Sequence, residues 1–185
     1  GRVASLKGAD VLVLGAGDIG THFATLCRNM GAHVRGIKRH SLAYPIVFED
    51  MDGMDALPER LAEADVVASF LPSTPETRGL ADDAFFAAMK PGAYFANGGR
   101  GDLVVVDALV SALESGHLAG AALDVTDPEP LPADHPLWDA PNLLVTPHVS
   151  GWFHLDATLD NVVDIAAENL RHLLAGETLR CWIEH

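Results

Sequence analysis

Arg100, Glu129 and His148 each stand in a turn directly after a short apolar run. Arg100 sits in Asn97-Gly98-Gly99-Arg100-Gly101, Glu129 in Asp124-Val125-Thr126-Asp127-Pro128-Glu129-Pro130, and His148 in Thr146-Pro147-His148. An arginine can hold a carboxylate in two parallel hydrogen bonds and polarise the carbonyl beside it. A histidine can deliver a proton to that oxygen as hydride reaches the carbon. A carboxylate bonded to the second ring nitrogen fixes the histidine tautomer and favours imidazolium. Together the three types suit reduction of a 2-keto acid, with a cofactor as the hydride source. Taken singly, each has a plainer meaning, because a loop arginine is usually solvated and a lone histidine usually structural. His22, His33, His117, His135, His154 and His172 take that plainer reading, and no metal site is expected.

A second group points to the cofactor. Gly15-Ala16-Gly17-Asp18-Ile19-Gly20 is a GxGxxG between a continuous apolar run and a helical pattern. Gly15 permits the tight turn, Gly17 lets backbone approach a pyrophosphate, and Gly20 allows close helix–strand contact. The helix that follows offers unpaired N–H groups and its positive dipole end to phosphate. After the second strand, an NAD site usually carries an acid on the ribose hydroxyls. Here Lys38 occupies that position and Arg39 follows it. Two adjacent cations, in a chain with only twelve Lys and Arg, can pair with a 2′-phosphate that a carboxylate would repel. NADP is therefore the expected cofactor, with NAD as the alternative.

These residues need a scaffold that gathers distant turns. Apolar runs predict strands at Ala9–Leu14, His33–Ile37, Tyr44–Phe48, Asp65–Phe70, Ala93–Ala96, Leu118–Val125 and Leu143–Thr146. Helical patterns cover Ile19–Met30, Met54–Glu63, Asp82–Met89, Val106–Glu114 and Leu155–Leu174, with Gly31, Gly116 and Gly176 as stops. The alternation predicts an α/β fold, a Rossmann-type doubly wound parallel sheet with helices on both faces. In such a sheet, ligands lie beyond the carboxyl ends of the strands, where all of these turns fall.

A net charge of -14 argues against a nucleic-acid partner, which would need a basic face. No apolar stretch has the length of a membrane span. Cys27 and Cys181 show no metal or redox spacing. Cys27 is expected inside a helix as a small core residue, and a reducing cytoplasm is the expected compartment.

The order of these motifs resembles the D-isomer-specific 2-hydroxyacid dehydrogenases. The resemblance rests on Leu71-Pro72-Ser73-Thr74-Pro75-Glu76-Thr77-Arg78-Gly79-Leu80, Lys90-Pro91-Gly92-Ala93, Asn97 to Gly101, Leu123 to Pro130 and Asn142 to His148. It runs from about Ser5 to about Leu179. It implies Arg100 as the substrate-binding arginine, His148 as the acid/base and Glu129 as its support. It implies Gly15, Gly17, Asp18 and Ile19 as the pyrophosphate loop, and Leu71, Pro72 and Thr77 as a wall of the cofactor site. Asp124 would bond the nicotinamide carboxamide. Lys38 and Arg39 are similar to the NADP-preferring glyoxylate and hydroxypyruvate reductase branch. A homodimer formed through the cofactor domain is implied as well.

Two departures from the family stand out. Gly98-Gly99 replaces the small side chains common before the arginine, which would loosen the Arg100 turn. Trp152-Phe153 replaces a more polar continuation and is expected to pack a helix start. The family also carries a segment before the equivalent of Ser5 that builds most of the substrate domain. Residues 1–179 are accordingly read as the dinucleotide-binding domain without that part, and 180–185 as a tail. The competing readings are a nucleotide-sensing corepressor on the same fold and a phosphoglycerate dehydrogenase. A formate dehydrogenase is disfavoured because that group has Gln where Glu129 stands.

Overall fold

The structure is a computed structural model, and it describes residues 4–38, 45–151 and 156–181. Arg39, Trp152 and Phe153 lie outside the described residues. The chain divides into two compact units, Gly1–Pro147 and His148–His185.

The first unit is built on seven strands: β1 (Asp10–Leu14), β2 (His33–Ile37), β3 (Asp50–Asp52), β4 (Val66–Ser69), β5 (Tyr94–Asn97), β6 (Gly120–Leu123) and β7 (Leu143–Val145). Their order is β3-β2-β1-β4-β5-β6-β7, and every pairing is parallel. The helices are α1 (Asp18–Asn29), α2 (Leu57–Glu63), α3 (Asp83–Ala88) and α4 (Val106–Glu114).

β1 shows why its sequence is apolar at successive positions. Leu12 and Leu14 join a core with Leu57 and Leu61 of α2, Phe86 of α3 and Leu109 of α4. Val11 and Val13 point the other way, into a second core with Ala24 and Cys27 of α1. A strand buried on both faces has no polar side to show. Within the larger core Phe85, Phe86 and Phe95 meet edge to face, at centroid distances of 5.3 to 5.9 Å. Such contacts add about 0.5–1.5 kcal/mol per pair beyond the area buried. The Cys27 thiol is buried as expected, and burial pushes its pKa up.

One expected strand is misplaced. Tyr44 lies outside the described residues, and residues 45–48 form a turn rather than a strand. In that turn Ile46 is 98% exposed while Phe48 drops into the α1-side core at 3%. The edge strand comes later, at Asp50–Asp52. Its two acids are held by Arg60 of α2, whose guanidinium reaches Asp50 at 3.0 Å and Asp52 at 2.5 Å. Those hydrogen bonds, and one to Glu63, push the arginine pKa further up.

The direction of chain growth reverses between β1 and β4. From β1 the order runs outward through β2 to β3, and from β4 outward through β5 and β6 to β7. The crevice at such a switch point is where an open α/β sheet takes its ligand.

The second unit holds α5 (Asp156–Ala175), a twenty-residue helix. Leu159, Val162, Val163, Leu170, Leu173 and Leu174 along it are all exposed. Among the described residues, no helix is long and apolar enough to cross a membrane.

Candidate active site and cofactor cleft

Gly15 follows β1 with φ +90, a conformation that L side chains rarely adopt. It turns the chain sharply while its N–H donates to the Ile37 carbonyl at 3.0 Å. A Cβ on Gly20 would lie 2.1 Å from the Gly15 carbonyl oxygen, so α1 passes against the turn with no room for a side chain. A Cβ on Gly17 would meet nothing within 4 Å. Gly17 is the N-cap of α1, and no side chain caps that end. The first N–H groups of the helix are therefore open to an outside acceptor. Asp18 and Ile19 are exposed at the same end.

A cavity of about 570 Å³ opens at the carboxyl ends of β1, β2 and β4, lined by Gly15, Gly17, Lys38, Met54, Pro72 and Thr77 among others. Lys38 directly follows β2, and its backbone N–H donates to the Asp52 carbonyl at 3.0 Å. Among the described residues no carboxylate pairs with its ammonium. The acids on and beside the neighbouring edge strand, Asp50, Asp52 and Glu63, are paired with Arg60.

The far wall is a self-bonded turn. Thr77, nearly buried, donates from Oγ1 to the Pro72 carbonyl at 2.6 Å and accepts the Thr74 N–H at 2.9 Å. Leu71 and Pro72 are thereby fixed in place by a hydroxyl rather than by a regular element. These features suit a dinucleotide: an open helix end for the phosphates, an apolar slot and a cation at the mouth. Sequence reasoning missed Met54, which it placed at a helix start. Met54 opens a single 3-10 turn after β3, and because that strand was not foreseen, no sequence signal marked the residue.

Arg100 follows β5 and is exposed. The turn that carries it is not loose, contrary to the sequence expectation. A Cβ on Gly99 would lie 2.5 Å from the Leu71 carbonyl oxygen, and one on Gly101 2.1 Å from the Thr126 carbonyl. The glycines let this turn wedge between the ends of β4 and β6. Asn97, 2% exposed, holds it from within. Its Oδ1 accepts the Gly99 N–H at 3.1 Å, and its Nδ2 donates to the Arg100 carbonyl at 2.9 Å. Arg100 Nη1 donates to the Gly99 carbonyl at 2.7 Å.

Asp124 follows β6, and its Oδ1 accepts the Thr146 hydroxyl at 2.6 Å. Its N–H donates to the Asn97 carbonyl at 3.0 Å. Glu129 is exposed in the loop beyond. His148 opens the second unit with φ +54, uncommon for a residue other than glycine. A different concavity of about 610 Å³ lies at the amino ends of β1, β4 and β5. There the Lys90 ammonium bonds Asp65 at 2.5 Å, and the pair cancels its own charge.

The sequence profile of the D-isomer specific 2-hydroxyacid dehydrogenase NAD binding domain matches residues 2–150. The chain belongs to the D-isomer specific 2-hydroxyacid dehydrogenase family. Glyoxylate/hydroxypyruvate reductase A of Serratia proteamaculans is 37% identical over 169 residues, which is 90% of this chain and 51% of the relative. A family member from Aeromonas salmonicida has a crystal structure that superposes with a TM-score of 0.86 at 38% identity, covering 100% of this chain and 58% of that one. The 2-hydroxyacid dehydrogenase of Xanthobacter autotrophicus Py2, solved with NADPH and MES, gives a TM-score of 0.84 at 40% identity, covering 95% and 71%. The chain spans about half the length of the curated relatives it matches.

Proposed function

We propose that this chain is the NADP(H)-binding domain of a reductase that acts on small 2-keto acids of the glyoxylate and hydroxypyruvate class. The observation that carries the reading is Lys38, an ammonium without a carboxylate partner among the described residues, at the mouth of the glycine-turn cavity. An acid at that position would select against a 2′-phosphate, and a lysine selects for it. The NADPH complex of the Xanthobacter protein and the name of the Serratia relative support the same cofactor and substrate class.

The roles follow from residue chemistry. Gly15, Gly17, Asp18 and Ile19 would receive the pyrophosphate at the α1 end, and Lys38 with Arg39 the 2′-phosphate. Leu71, Pro72 and Thr77 would bound the cofactor on one side, and Asp124 would accept from the carboxamide. When bound, the reduced nicotinamide supplies the hydride. Arg100 would grip the substrate carboxylate and draw charge toward the carbonyl oxygen. His148 would donate the proton to that oxygen, with Glu129 holding its ring. Residues 1–179 would act as one cofactor domain, with 180–185 as a tail. The working protein would be a cytoplasmic homodimer joined through this domain, with no nucleic-acid partner, and light scattering tests the dimer.

The test is a panel of 2-keto acids with NADPH and NADH on the complete protein. Glyoxylate or hydroxypyruvate with NADPH should be the best pair. His148→Ala should lower turnover by about a hundredfold or more, the usual scale of general acid–base catalysis. Turnover that survives His148→Ala would assign the proton to another group.

A further inference from the structure

We propose that Asn97 is a positioning residue for Arg100, and that its carboxamide decides how well the guanidinium meets a 2-keto acid. This rests on the substrate-binding role given to Arg100 above.

Asn97 is the last residue of β5 and is 2% exposed, a burial unusual for a carboxamide. A buried amide group left without partners is costly, so both ends must be used. Both are spent on the same turn. Oδ1 takes the Gly99 N–H, and Nδ2 gives to the Arg100 carbonyl. These bonds fix the peptide planes on either side of the Gly99–Arg100 peptide. That middle peptide carries the carbonyl on which Arg100 Nη1 rests. The orientation of the guanidinium is thus set by two backbone planes, and one side chain sets both.

The glycines explain why such a device is needed. Gly99 and Gly101 have no space for a Cβ against the Leu71 and Thr126 backbones. Two further side chains cannot be used to stiffen the turn, and glycine is the most freely rotating residue. Asn97 supplies the restraint from inside the sheet, where no ligand competes for it. Its own backbone carbonyl also takes the Asp124 N–H at 3.0 Å. One residue therefore ties the Arg100 turn to the neighbouring strand end. Misplacing a reacting group by about 1 Å can cost on the order of a hundredfold, so the restraint bears on rate.

The experiment compares Asn97→Ala, Asn97→Asp and Arg100→Ala in the complete protein. KM and kcat for hydroxypyruvate are measured beside the Kd for NADPH and the thermal midpoint. Asn97→Ala should raise KM about tenfold or more (about 1.4 kcal/mol for each factor of ten), with the NADPH Kd within about twofold. Asn97→Asp provides the readout that a purely structural role would not move. A neutral carboxyl matches the carboxamide in shape and can donate to the Arg100 carbonyl, whereas the carboxylate cannot. Burial lifts such a carboxyl toward the neutral range. The KM ratio of Asn97→Asp to the parent should therefore fall as pH is lowered, and Asn97→Ala should show no such recovery. If Arg100→Ala raises KM while both Asn97 variants bind hydroxypyruvate like the parent at every pH, Asn97 does not position Arg100. If Arg100→Ala leaves KM unchanged, the assignment of Arg100 itself fails, and this inference falls with it.

Discussion

After β1 the chain runs Gly15 to Gly20, and after β5 it runs Gly98 to Gly101. Both turns stand at carboxyl ends of central strands, and both read in sequence as glycine-rich and ligand-facing. Their neighbours differ. A Cβ on Gly17 would meet nothing within 4 Å, whereas one on Gly99 would lie 2.5 Å from the Leu71 carbonyl oxygen. The first turn keeps an unfilled space beside an uncapped helix end. The second is filled by protein backbone and bonded from below by Asn97. Glycine in the first turn leaves room for a guest. In the second it admits the chain's own backbone, and the group left exposed is the arginine that the backbone carries.

Alanine separates the two uses most sharply. Gly101→Ala would force a carbon to within 2.1 Å of the Thr126 carbonyl. Overpacking typically costs 1–3 kcal/mol, and a clash with backbone should reach about 3 kcal/mol in urea unfolding. Gly17→Ala should leave stability within about 0.5 kcal/mol, as at an ordinary surface site. Its φ of −81 suits any residue. The same change should weaken NADPH binding by about tenfold, or about 1.4 kcal/mol. A stable Gly101→Ala, or a Gly17→Ala that binds normally, would break the comparison.

The next effect belongs to the cation at the cavity mouth. Hydrogen bonds to charged groups contribute about 1.5–3 kcal/mol, so Lys38→Ala should weaken NADPH binding by about tenfold or more. NADH should be little affected. Lys38→Asp with Arg39→Ala should reverse the preference, because a carboxylate there repels phosphate and accepts from ribose hydroxyls. Parallel losses for both nucleotides would mean that Lys38 acts through structure alone.

β1, α1 and α4 were legible because each carries its own signal. A buried five-residue run, a glycine turn and a helix closed by Gly116 need no knowledge of neighbours. β3 was not legible. Its Asp-Met-Asp sequence is polar because an arginine from α2 balances it, and that partner is set by tertiary packing. The apolar stretch before β3 drew the assignment instead, although Ile46 faces water. The stiffness of the Arg100 turn was hidden for a similar reason. Gly98-Gly99 looks mobile until the backbones of Leu71 and Thr126 close on the turn from strands remote in sequence. The placement of Arg100, Asp124 and Glu129 beyond the ends of β5 and β6 was readable, since strand ends and turns are local. Met54 was not, because a methionine gives no chemical signal of its own.

The smallest expected effect lies at the opposite end of the sheet. The Lys90 ammonium bonds the Asp65 carboxylate and holds its pKa below the usual range. A depressed carboxyl stabilises the fold above its unfolded pKa, near 3.9, and loses that contribution as pH falls through the folded value. Lys90→Ala should therefore unfold at slightly lower urea than the parent at neutral pH, with the two converging in acid. The difference should shrink with salt, as for any partly exposed ion pair. NADPH affinity should not change, because the pair faces the amino ends of the strands.

The most direct measurement is titration calorimetry of this 185-residue chain with NADPH and with NADH, at low and at high salt. NADPH should bind about tenfold tighter or more, from the charge-assisted contacts of the 2′-phosphate. The margin should narrow as salt screens them. Equal affinities for the two nucleotides, or tighter binding of NADH, would contradict the assignment of the Lys38 turn as a 2′-phosphate site.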